Sequence, residues 1–163
     1  MKKSDTLKDR IFSREDLPQE IKRLRLKSKS IAFTNGVFDI LHEGHIAVLA
    51  EAASFADVLI VGVNSDLSVK KLKGDSRPIN NQDSRALIIV SLIMVDLVVI
   101  FDEETPIELI KMIKPDVLVK GGDYTLETMV GAKQVLDNGG RVEFIPFREG
   151  FSTTNIIKKI SSK

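Results

Sequence analysis

"TNGVFDILHEGH", Thr34 to His45, is the stretch on which the reading of this chain turns. It follows the apolar run "IAF" and leads into "IAVLAEAASFA", where Ile46, Leu49, Ala50 and Ala53 recur at helical spacing. The order is therefore strand, glycine-bearing loop, helix. Gly36 lets the backbone turn tightly and come close to a ligand. Both histidines of the 163-residue chain, His42 and His45, fall where the helix opens, in the pattern H-x-G-H. A helix N-terminus offers amide donors and the positive end of the helix dipole, so an anion is favoured there.

Outward from this stretch, short apolar runs alternate with longer helical patterns. The strand candidates are "IAFTNG" from Ile31, "DVLIVGV" from Asp57, "VDLVVIF" from Val95, "DVLVK" from Asp116 and "RVEFIPF" from Arg141. Each is nearly continuous in apolar residues, as expected of parallel strands covered on both faces. Between them lie the helical segments "GHIAVLAEAASFA", "NQDSRALIIVSLIM", "TPIELIKMI" and "LETMVGAKQVLDN", and a last helix runs from about Ser152 to Ile160. Repeated β-α units predict an α/β fold of the Rossmann-like kind, a three-layer α/β/α arrangement around a five-stranded parallel sheet. In such a sheet, ligands bind beyond the carboxyl ends of the strands near the topological switch point. "TNGVFD" occupies that place after the first strand.

Residues 1–30 stand apart from the domain expected over residues 31–163. "SREDLPQEIKRLRLKSKS" predicts a short leader helix, with Ser13 or Asp16 as cap and Pro18 in its first turn, followed by a basic linker. The start, "MKKSDTLKDR", has no apolar h-region and does not read as a signal peptide. "ALIIVSLIMVDLVVIF", Ala86 to Phe101, falls short of the roughly 20 apolar residues a spanning helix needs, and it contains Asp96. No membrane association is expected, and the cytoplasm is the default location. A net charge of +1 gives no global drive toward nucleic acid. The absence of cysteine removes disulfides, thiolate metal sites and a cysteine nucleophile.

Two histidines three residues apart invite a metal reading. The helical zinc motif H-E-x-x-H spaces its histidines by four, however, and a zinc site needs a third and usually a fourth ligand, for which only Asp39 or Glu43 is near. The phosphate reading is favoured. No G-x-G-x-x-G follows the first strand and no G-x-x-x-x-G-K-[ST] occurs, so dehydrogenase and P-loop readings lose their main support. "KKLKGDSRPI" follows the second strand as a basic loop carrying Lys70, Lys71, Lys73 and Arg77. Lys73 and Arg77 are the candidates there for substrate-phosphate contact, and Lys73 is also a catalytic candidate. A solvated loop is the bland alternative. "KGGDY" follows the fourth strand, where Gly121 and Gly122 permit close backbone approach and Asp123 can accept from a sugar hydroxyl or a base. An ordinary turn remains the alternative, and Tyr124 is as readily a turn residue as a contact. Ser152, Thr153 and Thr154 open the last helix, where one hydroxyl is an N-cap and three make an anion site. Asp39 is a candidate for orienting a lysine or holding Mg²⁺, and Asp66 in "VNSD" reads as structural or substrate-facing.

H-x-G-H after a strand ending in N-G-x-F-D resembles the cytidylyltransferase-like nucleotidyltransferases. Within them the chain is most similar to the D-glycero-β-D-manno-heptose 1-phosphate adenylyltransferases. The resemblance runs from about Phe12 to the C-terminus through "FTNGVFDILHEGH", "VNSDLSVKKLKGDSRPI", "DEETPIELI", "PDVLVKGGDY" and "EGFSTTNII". Val37 stands where that family more often has cysteine, and Phe151 where tyrosine is common. The resemblance implies transfer of AMP from ATP, with Mg²⁺, to heptose 1-phosphate, giving ADP-heptose for the lipopolysaccharide inner core, and pyrophosphate. It implies that His42 and His45 bind the triphosphate and stabilise its developing charge. It also places Asn35, Gly36, Val37, Phe38, Gly121, Asp123, Ser152, Thr153 and Thr154 against the nucleotide. Many relatives carry a sugar kinase in front of this domain, so a separate heptose kinase is implied here, and a homodimer is expected.

The nearest alternative is a glycerol-3-phosphate or ethanolamine-phosphate cytidylyltransferase with the same H-x-G-H. The glycerol-phosphate branch reads R-T-E-G-I-S-T near its end and G-D-D-W after the fourth strand, whereas "FREGFST" and "GGDY" here favour the heptose branch. A non-catalytic nucleotide-binding module is the alternative from another class. The intact histidines, basic run and S-T-T give it no support.

Overall fold

The structure, a computed structural model, describes residues 5–146 and 153–161. In chain order the elements are α1 (Asp5–Lys8), β1 (Ile11–Phe12), α2 (Leu17–Leu26), β2 (Ile31–Gly36), α3 (Glu43–Ser54), β3 (Val58–Asn64), α4 (Asp66–Lys73) and α5 (Gln82–Val90). They continue with β4 (Leu97–Phe101), α6 (Ile107–Ile113), β5 (Val117–Gly121), α7 (Ala132–Asp137), β6 (Arg141–Ile145) and α8 (Thr153–Ser161). The strands form one sheet in the order β1-β4-β3-β2-β5-β6, parallel throughout.

Side chains alternate across this sheet, so each strand feeds two cores. Phe33, Ile60, Val99 and Leu118 face one layer with α2, α6 and α7, which contribute Leu17, Ile21, Ile110, Ile113 and Val135. Ala32, Val61, Val98 and Val119 face the other, with Leu49 and Ala52 of α3 and Ala86, Ile89 and Val90 of α5. This is the Rossmann-like three-layer α/β/α arrangement expected from the near-continuous apolar strands.

The sheet has six strands among the described residues, where five were expected. The sixth, β1, pairs Ile11 and Phe12 with Val98 and Val99. Two residues carry no periodicity to read. Their place is held from outside by Arg10, whose guanidinium donates to the Val95 and Val90 carbonyls at 2.9 and 2.6 Å. Helix α2 then buries Leu17, Ile21 and Leu24, one face at helical spacing. Arg25 ties its end to the sheet through Asp116 at 2.6 Å, and the same carboxylate oxygen accepts the Ile31 amide at 2.6 Å.

Two further boundaries differ from expectation. Lys70, Lys71 and Lys73 form the last turn of α4 instead of a loop. Ser65 caps that helix by accepting the Ser68 amide, Val69 is buried beneath it, and Gly74 ends it at φ 91°. Lysines there complement the negative end of the helix dipole. Helix α7 begins only at Ala132, because Thr125 and Thr128 bond each other's amides and fold the preceding residues into a turn.

The chain runs outward from β2 to β3 and β4, then returns past β2 to β5 and β6. The order therefore reverses between β2 and β5. β2 pairs with β3 along its whole length, Ile31–Gly36 against Val58–Val63, but with β5 only at Ala32–Val117 and Phe33–Leu118. Beyond Phe33 and Leu118 the two strands part, and a crevice opens at the carboxyl edge.

Arg85 holds the loops around that edge. Fully buried, it donates from Nη1 to the Val37 carbonyl at 2.7 Å, from Nε to the Asn80 carbonyl at 2.9 Å and from Nη2 to Asp66 at 2.8 Å. Arg85→Met removes the donor and leaves these acceptors without it. Urea denaturation is expected to show a loss of about 3 kcal/mol, while Lys133→Ala, which breaks an exposed pair with Asp137, leaves the midpoint where it was.

Candidate active site

His42 is the residue before α3, with extended backbone (φ −143°, ψ 169°), and His45 is the third residue of the helix. The His45 amide bonds back to the His42 carbonyl at 2.9 Å, which closes the first turn. The two imidazoles are thereby stacked, ring centroids 3.8 Å apart and 21° from parallel. Both Nδ1 atoms are shut away from solvent with no hydrogen-bond partner. Burial lowers the pKa of both rings. It takes His45 from 6.5 to about 4, with the neighbouring His42 charge adding to the effect. With nothing bound, the pair is neutral at physiological pH. A polyanion would supply the counter-charge that the site lacks.

Phe38 explains the loop geometry. Its backbone is left-handed, φ 50°, which turns its ring back over Gly36 and edge-on to His45 at 5.2 Å between centroids. A Cβ on Gly36 would meet that ring at 3.0 Å. The glycine is thus required by packing against Phe38, and through Phe38 it sets the position of His45.

Asp39 is buried and fully engaged. Its carboxylate accepts from Arg77 Nε at 2.5 Å and from the amides of Ile79 and Asn80 at 2.8 to 2.9 Å. Burial alone would raise its pKa, but the Asn80 and Ile79 amides and the Arg77 guanidinium outweigh that and hold it below the ordinary carboxylate value. Asp39 therefore clamps the 77–80 loop against the histidine loop, and its oxygens are not presented to a cation. Arg77, read from the sequence as a phosphate contact, has its Nε committed to this clamp. Asp66 serves Arg85, in keeping with its structural reading. Thr153 comes to the histidine loop, its hydroxyl 3.4 Å from the Ile40 carbonyl. Ser152 and the side chain of Thr154 lie outside the described residues.

At the β2 end is a cavity of about 370 Å³. Asn35, Gly36 and Val37 line it, with Asn64, Lys73, Glu104, Thr105, Lys120, Tyr124 and Thr128 among its other walls. Neither histidine is among its lining residues. Gly121 borders this region for a reason other than ligand approach: a Cβ there would lie 2.6 Å from Val48 of α3. Asp123 and Tyr124 are exposed on the turn that follows.

Sequence reasoning missed Lys120 and Arg85. Lys120 ends β5 with its Nζ across the crevice, 3.2 Å from the Asn35 carbonyl and 3.1 Å from its amide oxygen. Burial pushes its pKa from 10.5 down to about 8. The signal was present, since Lys120 is the cation that closes the apolar strand "DVLVK". Arg85 gave no such sign, sitting in a helix that otherwise reads as amphipathic.

A parallel sheet with a histidine pair at the helix opening beyond its first long strand defines a class, and the comparisons agree. The cytidylyltransferase-like family matches residues 33–162, and the chain belongs to that family. It is similar to the bifunctional protein HldE of Caulobacter vibrioides (strain ATCC 19089 / CIP 103742 / CB 15), 49% identical over 153 residues, covering 94% of this chain and 32% of that protein. The bifunctional protein HldE of Aliarcobacter butzleri (strain RM4018) is 58% identical over 146 residues, covering 87% and 30%. The chain thus spans about a third of the length of these relatives. A solved lipopolysaccharide core biosynthesis protein from Thermoplasma volcanium GSS1 superposes with TM-score 0.57 at 27% identity, covering 74% of this chain and 97% of that one. A pantoate-beta-alanine ligase from Francisella tularensis, TM-score 0.60 at 18% identity over 94% of this chain and 78% of that one, shares the fold.

Two outcomes test this geometry. Gly36→Ala is expected to cost about 1–3 kcal/mol through crowding of the Phe38 ring, read by thermal melting. The His45 pKa is lower in the folded chain than in the unfolded one, so between about 6.5 and 4 the unfolded state binds more protons. Stability therefore falls as pH drops through that window. In His45→Gln the melting temperature is expected to fall less steeply over the same range.

Proposed function

We propose that this chain is a nucleotidyltransferase that moves AMP from ATP to D-glycero-β-D-manno-heptose 1-phosphate, releasing pyrophosphate and forming ADP-heptose for lipopolysaccharide inner-core synthesis. The observation that carries the proposal is the stacked histidine pair at the opening of α3, its Nδ1 atoms partnerless and its charge suppressed until an anion arrives. The similarity to bifunctional HldE proteins supports the pathway. The match to a third of their length fits one of two functional parts.

In this reading an anionic oxygen of the sugar phosphate attacks the α-phosphorus. The bond from that phosphorus to the bridging oxygen breaks, and pyrophosphate leaves with the electron pair. The attacking oxygen carries no proton at neutral pH, so no general base is needed. Catalysis reduces to alignment and charge stabilisation. His42 and His45 take the triphosphate, and their pKa values rise as its charge comes to rest against them. Asn35, Gly36, Val37 and Phe38 shape the strand end beneath the nucleotide. Gly121 and Asp123 flank it at and after the end of β5. Thr153 belongs to the last helix beside the histidine loop, and Ser152 and Thr154 are assigned to the nucleotide phosphates with it. Lys73 serves the substrate phosphate from the rim of the cavity, while Arg77 contributes by fixing its own loop through Asp39.

Mg²⁺ enters with ATP as its counter-ion. Among the described residues no group of three His, Asp or Glu side chains is placed to hold a metal, and Asp39 is already saturated. Phosphate and water oxygens would hold the ion when ATP binds, and Asp39 keeps its structural role. The sugar 1-phosphate is the product of a kinase reaction, and a cytoplasmic site with ATP at hand suits both steps. No helix among the described residues is long and apolar enough to cross a membrane. A homodimer belongs to the same proposal, and the exposed Ile88 and Ile93 offer apolar surface for it.

Pyrophosphate release should be measured with ATP and CTP, each against heptose 1-phosphate and glycerol 3-phosphate. Release with ATP plus heptose 1-phosphate alone is expected. His42→Ala and His45→Ala are each expected to lower kcat on the order of 10²–10³-fold. Release with CTP and glycerol 3-phosphate would instead move the chain to the neighbouring cytidylyltransferase branch.

A further inference from the structure

Among the described residues Lys120 is a cation with no carboxylate counter-ion. Its partners are the two neutral oxygens of Asn35 and the face of Tyr124, 5.7 Å from the ring centroid. Arg85, Arg77 and Arg25 each pair with a carboxylate, Asp66, Asp39 and Asp116, while the half-buried Arg10 spends its donors on two main-chain carbonyls. A largely desolvated ammonium facing only neutral oxygens is costly to keep. Its low pKa reports that cost.

Its position is as specific as its solitude. β2 and β5 stop pairing after Phe33 and Leu118, and Lys120 reaches across the gap to Asn35, two residues beyond the last pair on each strand. Asn35 grips the ammonium with both its carbonyl and its side-chain oxygen, so the Nζ is held in place before anything binds. One ammonium hydrogen remains after these two bonds. The cavity that Lys120 lines excludes both histidines but includes Lys73, and it offers Asn64, Glu104, Thr105 and Thr128 as partners for hydroxyl groups.

We propose that Lys120, aimed by Asn35, receives the phosphate of the acceptor sugar phosphate, and that this cavity is the acceptor's seat while the histidine loop takes the triphosphate. The inference rests on the nucleotidyltransferase reading and assigns the acceptor to the cavity and the triphosphate to the histidine loop, the two meeting at the β2 end. Lys120 carries the acceptor phosphate toward the α-phosphorus as a counter-charge, and it transfers no proton. A dianionic phosphate raises the lysine pKa, so acceptor binding takes up a proton once the pH exceeds about 8. The other titratable groups on the cavity walls are Lys73 from α4, Glu104 from the β4–α6 connection and Tyr124 after β5. His42 and His45 titrate far below this range.

Calorimetry of the full chain with D-glycero-β-D-manno-heptose 1-phosphate from pH 7 to 9.5, with ATP titrated separately, tests the assignment. In the wild type the acceptor Kd is expected to rise about tenfold per unit above pH 8. Lys120→Met is expected to weaken acceptor binding by about 10–100-fold, to lose the pH step, and to leave the ATP Kd within about twofold. Lys120→Arg should restore part of the affinity without the step, since its charge is permanent. Lys73→Met and Tyr124→Phe should each keep the step. Melting curves of Lys120→Met and Lys120→Arg that match the wild type exclude misfolding as the cause. Equal acceptor affinity in Lys120→Met, or loss of ATP affinity in its place, overturns the inference while pyrophosphate release by the wild type upholds the function. A wild type that binds ATP but neither binds nor turns over the sugar phosphate overturns both, and the missing turnover marks the function as the part at fault.

Discussion

The Arg85 guanidinium is the constraint on which the site depends. Three loop segments that the sheet itself does not hold meet at this one planar cation: the strand end at Val37, the 77–80 loop at Asn80 and the start of α4 at Asp66. A buried charge is tolerable only when its donors are satisfied, so the three segments hold their relative places or the cation is stranded. Asp39 makes the same kind of demand in the opposite sign. It gathers Arg77 and two backbone amides at a buried carboxylate, and it locks the loop that Arg85 also holds from Asn80. The histidine loop therefore rests on a frame set by two buried ions.

Against that frame, the histidine pair and Lys120 are left electrostatically unsatisfied. The histidines are stacked and pushed toward neutrality, and Lys120 stands beside two neutral oxygens with its pKa lowered. Both arrangements cost free energy in the empty protein, and an incoming anion relieves both. Arg85 and Arg77 are paired with carboxylates within the chain, whereas Lys120 and the histidine pair have no carboxylate partner among the described residues. That division separates the ions that build this edge of the sheet from those the proposed function draws on, and it separates Arg77 from Lys120 among the cations.

Much of the architecture was legible in the sequence because it rests on local pattern. Ile31–Gly36, Val58–Asn64, Leu97–Phe101, Val117–Gly121 and Arg141–Ile145 are all strands, since apolar runs of that length have few other places to go. β1 was not legible, because two residues have no period and their pairing depends on Arg10 reaching Val90 and Val95. The lysines of α4 read as loop because charge masked a helix whose buried face is little more than Val69. His42 and His45 stood out by spacing alone. Gly121 was read as a place for close backbone approach to the nucleotide; the packing that requires a glycine there is against Val48.

The sequence by itself determined the layered α/β class, the order of its long strands and the placing of H-x-G-H at a helix opening, because hydrophobic period and glycine placement act over a few residues. Only the tertiary structure decided which charges pair with one another and which are left beside neutral oxygens. Arg77 and Asp39 lie 38 residues apart and Lys120 and Asn35 lie 85 apart. Whether a cation finds a carboxylate, a carbonyl or an open cavity at such distances is set by how the sheet brings its strand ends together, where β2 and β5 part, and how deeply each group is buried.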